Sequence, residues 1–116
     1  MSLLDELKEL GVNVDEGINR LMGNASLYEK MLGTFVNMMD KSTVDPDFDG
    51  DNYGDVIETT HAIKGAAGNL SITPVYDAYT EIVDLLRAGQ PEQAREVLKK
   101  VLPVQKEIVD CIKKYK

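Results

Sequence analysis

The sequence predicts an all-α fold: an antiparallel four-helix bundle with one or two short N-terminal helices as a lid. Three observations predict it. Apolar residues recur at three- and four-residue spacing in four long segments, no segment alternates convincingly with period two, and the breaks between segments are short and rich in Gly, Pro, Asn and Asp. Amphipathic helices joined by short links bury their apolar stripes against one another as antiparallel neighbours.

Taken in order, Leu3, Leu4, Leu7 and Leu10 form a short stripe that stops at Gly11. Residues 15–21 make a brief second helix, ended by Gly23-Asn24. Ser26 reads as the N-cap of a helix over about 26–41, whose core side is Tyr28, Met31, Leu32, Phe35, Met38 and Met39. Met22 joins these methionines as adaptable core filling. Residues 42–51 are a loop of turn-formers. A central helix over about 52–70 buries Tyr53, Val56, Ile57, Thr60, Ile63, Ala67 and Leu70. Thr73 caps the next helix with Pro74 at its first position; Val75, Tyr79, Ile82 and Leu86 face the core, and Gly89 ends it. Pro91 opens the last helix, with a stripe through Ala94, Val97, Leu98, Val101, Val104, Ile108, Cys111, Ile112 and Tyr115. The stripe keeps phase across Pro103, so one kinked helix is expected there.

At 116 residues the chain is expected to be a single domain, 1–116. Its 13 basic and 20 acidic residues leave a net charge of −7, the wrong sign for a phosphate-backbone binder, so no nucleic-acid partner is expected. No apolar run approaches the roughly 20 residues that span a bilayer, and the N-terminus lacks a signal-peptide pattern. With one cysteine, Cys111, no internal disulfide forms. A cytoplasmic monomer without membrane contact is the expectation.

The central helix holds the only histidine of the chain. At 100° per residue, His61, Lys64, Gly65 and Gly68 (i, i+3, i+4, i+7) share one stripe beside the core face. Glu58, Ala62 and Asn69 point further outward. Interior helix glycines each cost roughly 0.5–1 kcal/mol relative to alanine. Two of them beside an imidazole clear space for a bulky anionic group, and Lys64 brings an ammonium near any anion on the ring. Read singly, His61 is an ordinary surface histidine and Lys64 a solvated cation; their conjunction with the glycines points to a nucleophile.

The run His61-Ala62-Ile63-Lys64-Gly65-Ala66-Ala67-Gly68-Asn69-Leu70 resembles the signature of histidine-containing phosphotransfer (HPt) domains, H-x-[LI]-K-G-x-x-x-x-[LF]-G. The resemblance extends through Gly11-Val12-Asn13, residues 17–24, residues 27–32 and Phe35, nearly the whole chain. It implies a phosphocarrier of a bacterial-type two-component phosphorelay. His61 would accept a phosphoryl group from a receiver-domain aspartyl phosphate and pass it to another receiver. Lys64 would stabilise the phosphoryl oxygens, Gly65 and Gly68 would leave room, Arg87 would stand at the margin, and Ile57 would help dock the partner. The partners implied are receiver domains of response regulators and hybrid sensor kinases. Mg²⁺ is expected on the receiver, with no cofactor or metal in this chain and no ATP-dependent kinase activity. Two positions depart from the family: Ser71 stands where it carries a glycine, and Val83 where some members carry a polar residue that orients the ring.

Two other readings compete. Asp45, Asp47, Asp49 and Gly50 imitate the start of a calcium loop, but Val56 stands where the bidentate Glu belongs, so a solvated acidic loop is expected. A helical adaptor that binds signalling partners without phosphorylation would use the same surface with an incidental histidine. A single histidine supplies no catalytic triad, and Cys111 on a buried stripe reads as packing.

Overall fold

The computed structural model describes residues 2–115, and among them there are six α-helices and no strand. They are α1 (Leu3–Glu9), α2 (Val14–Arg20), α3 (Ala25–Lys41), α4 (Gly54–Asn69), α5 (Thr73–Arg87) and α6 (Pro91–Lys114). The 24 residues of α6, rising about 1.5 Å each, set the long axis of a body measuring 43 × 25 × 22 Å. No helix among the described residues is long and apolar enough to cross a membrane.

Helix α5 packs most extensively, with α4 on one side and α6 on the other; α3 lies against α6, and α1 against α6 and α2. The core joins all six: Leu7, Val14, Leu32, Ile63, Ile82, Leu98 and Ile108 are buried. Helix α6 runs unbroken through Pro103. Lys114 near its end donates to Glu6 of α1 at 2.7 Å, and Lys113 bonds Asp40 of α3 at 2.9 Å, so the C-terminal turn ties down two neighbours.

Several local expectations are corrected. Asn24, not Ser26, caps α3: its Oδ1 accepts from the Leu27 backbone N–H at 3.0 Å, satisfying a first-turn donor. Helix α5 begins at Thr73 without a side-chain cap, and the Thr73 hydroxyl turns back to the Ser71 carbonyl. Met22 is 98% exposed. It occupies a left-handed turn with Gly23 (φ +58° and +81°), which throws the side chain away from the core. Val104 and Tyr115 on the α6 stripe are also exposed: Val104 lines an open groove between α5 and α6, and Tyr115 follows the last helical residue, Lys114.

The connection between α3 and α4 is held to α6 by Arg95. Its guanidinium donates to the Phe48 carbonyl and lies 5.0 Å from the Phe48 ring centre, and Phe48 is itself buried and edge-on to Tyr53. Within this loop Asp45 and Asp49 each accept a backbone N–H two residues on at 2.8 Å. These Asx turns use the carboxylates to shape the chain.

Candidate functional site

Helix α4 is fixed by its core face. Thr60, Ile63 and Ala67 are fully buried, and the Thr60 hydroxyl is satisfied by the Val56 and Ile57 carbonyls at 2.8 and 3.1 Å. That anchoring sets the adjoining stripe: His61 is exposed and Lys64 half-buried. Neither side chain makes a hydrogen bond or ion pair with another described residue. Both line an open cleft of about 550 Å³, together with Gly65 and Gly68 of α4, Arg20 of α2 and Tyr76 of α5.

The two glycines do different things. A Cβ on Gly65 would meet nothing within 4 Å, so this position opens the cleft beside His61. A Cβ on Gly68 would lie 2.9 Å from Tyr76 Cδ1 and Cε1. The space at Gly68 is therefore taken by the tyrosine ring, which forms a wall of the cleft.

The far wall is built where α2 begins. Asn13 caps α2, accepting from the Glu16 N–H at 3.2 Å, and its own N–H donates to the Ser71 carbonyl at 2.9 Å. Glu16 in turn accepts from Ser71 Oγ at 2.7 Å and from Arg20 Nη2 at 3.3 Å. The Ser71 hydroxyl foremost, and Arg20 after it, hold the Glu16 carboxyl below its ordinary pKa. Ser71 is 4% exposed and sits at φ +54°. At the position where a glycine would be unstrained, the serine offsets its left-handed backbone with a hydroxyl that reaches the cleft wall.

Of the other residues singled out from sequence, Ile57 is half-buried and packs against the core four residues before His61. Arg87 is exposed in the last turn of α5 and does not line the cleft. Val83 is fully buried and does not line the cleft, and its apolar side chain has no group with which to orient an imidazole. Sequence reasoning missed Arg20, Glu16 and Tyr76 as cleft residues. The i, i+4 spacing of Glu16 and Arg20 was a signal for their pairing; the Ser71–Glu16 link, across 55 positions, had none. Among the described residues no group of three or more His, Cys, Asp or Glu is arranged to hold a metal ion.

The arrangement presents an uncommitted imidazole beside a cation in a space open to a large partner. That combination suits nucleophilic attack on an electrophile brought from outside. No protein-family model, curated protein or solved structure matches the chain.

Proposed function

We propose that this chain is a phosphocarrier of the HPt type, an antiparallel four-helix bundle over residues 1–116 with α1 and α2 as its lid. In this reading His61 takes a phosphoryl group from a receiver-domain aspartyl phosphate and gives it to another receiver. The observation that carries the reading is the exposed His61 in a cleft shared with Lys64, with open space at Gly65.

Phosphoryl transfer asks the protein mainly for positioning and charge neutralisation. A neutral imidazole carries a lone pair on its unprotonated ring nitrogen, so the attack requires no separate base. Nε2 attacks phosphorus; the P–O bond to the aspartyl carboxyl breaks and its electron pair returns to that carboxylate. The phosphoimidazolium keeps its proton on Nδ1 or releases it to water. Lys64 faces the developing charge, and transfer to the next receiver runs the same steps backwards. Mg²⁺ belongs to the receiver's acidic pocket in this scheme, so no cofactor is assigned to this chain. Ile57 contributes apolar surface to docking, which must be modest and transient because the partners exchange. Arg87, expected as a supporting cation at the site's margin, lies outside the cleft and is given no part in the transfer.

The test incubates the protein with a receiver domain carrying labelled phosphate. Acid-labile, alkali-stable label on the wild type and none on His61→Gln supports the carrier. No transfer across a panel of receivers, with partner binding intact in His61→Gln, would replace it with the adaptor reading.

A further inference from the structure

Lys64 is not the only cation in the cleft. Arg20 lines it from α2, a different helix, and reaches it on a side chain about half exposed. We propose that Arg20 is a second phosphoryl-binding cation, delivered to the cleft by α2 and steered there by Ser71 through Glu16. This rests on the phosphocarrier reading of His61 and adds to it a residue from outside the histidine stripe.

The steering is visible in the hydrogen bonds. Ser71 Oγ and Arg20 Nη2 converge on the same oxygen of Glu16, Oε1, at 2.7 and 3.3 Å. The second oxygen, Oε2, receives Asn13 Nδ2 at 3.4 Å. Glu16 is thus oriented from both ends of its carboxylate, by the corner that follows α4 and by the cap of its own helix. A guanidinium carries five N–H donors, and Glu16 engages Nη2 alone, which leaves the others for an anion. The 3.3 Å contact is long and solvent-exposed, of the kind that holds a side chain weakly. Arg20 can therefore turn toward an incoming phosphoryl group without abandoning a strong bond.

The charge balance of the cleft fits a carrier. Arg20 and Lys64 are matched by Glu16 and Asp77, so the formal charge is zero. Such a site does not trap free phosphate. It steadies a phosphoryl group that arrives in covalent form and lets it leave, which a relay requires.

The experiment uses phosphoramidate, a small anionic donor that needs no partner protein, and follows phosphohistidine formation by ³¹P NMR. Arg20→Ala is expected to lower the second-order rate constant about tenfold, with Arg20→Lys recovering most of it. Added salt should slow the wild type more than Arg20→Ala, a dependence that loss of packing would not produce. Ser71→Ala should fall between wild type and Arg20→Ala. Thermal unfolding confirms that each variant is folded, and Arg20→Met, which keeps the aliphatic stem, replaces Arg20→Ala if α2 is lost. Rates within twofold of wild type with the same salt response, on a protein that does label at His61, overturn the role of Arg20 and leave the carrier standing. Failure of the wild type to label with both phosphoramidate and phosphorylated receivers overturns the carrier and this inference with it.

Discussion

The ring of Tyr76 occupies the place that a side chain on Gly68 would fill, with two ring carbons 2.9 Å from where a Cβ would stand. Tyr76 is 37% exposed and its hydroxyl has no partner among the described residues, so the ring can swing outward. Gly68→Ala should therefore change stability by less than about 1 kcal/mol, ring displacement offsetting the gain in helix propensity. In a Tyr76→Ala background the same change should stabilise by about 1 kcal/mol. A double-mutant cycle in urea reads the coupling.

Gly65 has no such neighbour. Gly65→Ala should raise stability by about 0.5–1 kcal/mol through helix propensity, while Gly65→Leu should hinder approach to His61 one turn away. Urea denaturation and the rate of label uptake, measured on the same variants, should move in opposite directions. Uptake unchanged in Gly65→Leu would remove Gly65 from the site.

Gly17 makes a tighter approach than Gly68 and is less forgiving. Its Cβ would collide with the Tyr28 ring and stand 2.8 Å from the Leu70 carbonyl oxygen. Neither can yield: Tyr28 is fully buried, and its hydroxyl donates to that same carbonyl at 2.7 Å. Gly17→Ala should cost about 2–3 kcal/mol, lowering the urea midpoint well below that of either change in α4.

These contrasts show what was legible before coordinates. The histidine stripe depends on one helix's own period, so the placement of His61, Lys64 and Gly65 could be read from spacing. The partner of Gly68 could not, because it is set by how α5 lies against α4. Asn24 and Ser26 are both good capping residues two positions apart, and only the backbone decides between them. Met22 reads as core by type, yet a left-handed turn turns it outward. Arg20 was visible as a partner of Glu16 and invisible as a cleft residue, since Ser71, which holds Glu16, lies 55 positions away.

Ser71 sets two effects against each other. Glycine at φ +54° would release roughly 1 kcal/mol of left-handed backbone cost but would lose the hydrogen bond to Glu16. Alanine loses the bond and keeps the cost. Ser71→Ala should therefore melt below both wild type and Ser71→Gly. Ser71→Ala melting with or above Ser71→Gly would show that the left-handed backbone carries no cost at this corner, and Ser71→Ala melting with wild type would show that the hydroxyl adds nothing.

Tyr28 and Tyr79 give the fold an alkaline limit. Burial pushes both hydroxyls up to about 12, because a buried phenolate forfeits hydration; at Tyr79 the hydrogen bond to Gln105 at 2.5 Å acts in the opposite direction. Unfolded tyrosine titrates near 10, so the folded state holds its proton more tightly than the unfolded one. The contribution is complete below about pH 10 and is lost as pH rises toward 12. Hydrogen bonds to Asp110 and Glu6 likewise raise Lys106 and Lys114 above the ordinary lysine value, so a fall in stability at alkaline pH is not specific to the tyrosines. The diagnostic is therefore the difference between wild type and a phenylalanine variant. Tyr79→Phe should flatten the fall of the urea midpoint between pH 10 and 12. Tyr28→Phe should start lower, since the Leu70 carbonyl loses its donor, and should also fall less steeply. Parallel curves for wild type and both variants would show that neither hydroxyl is responsible.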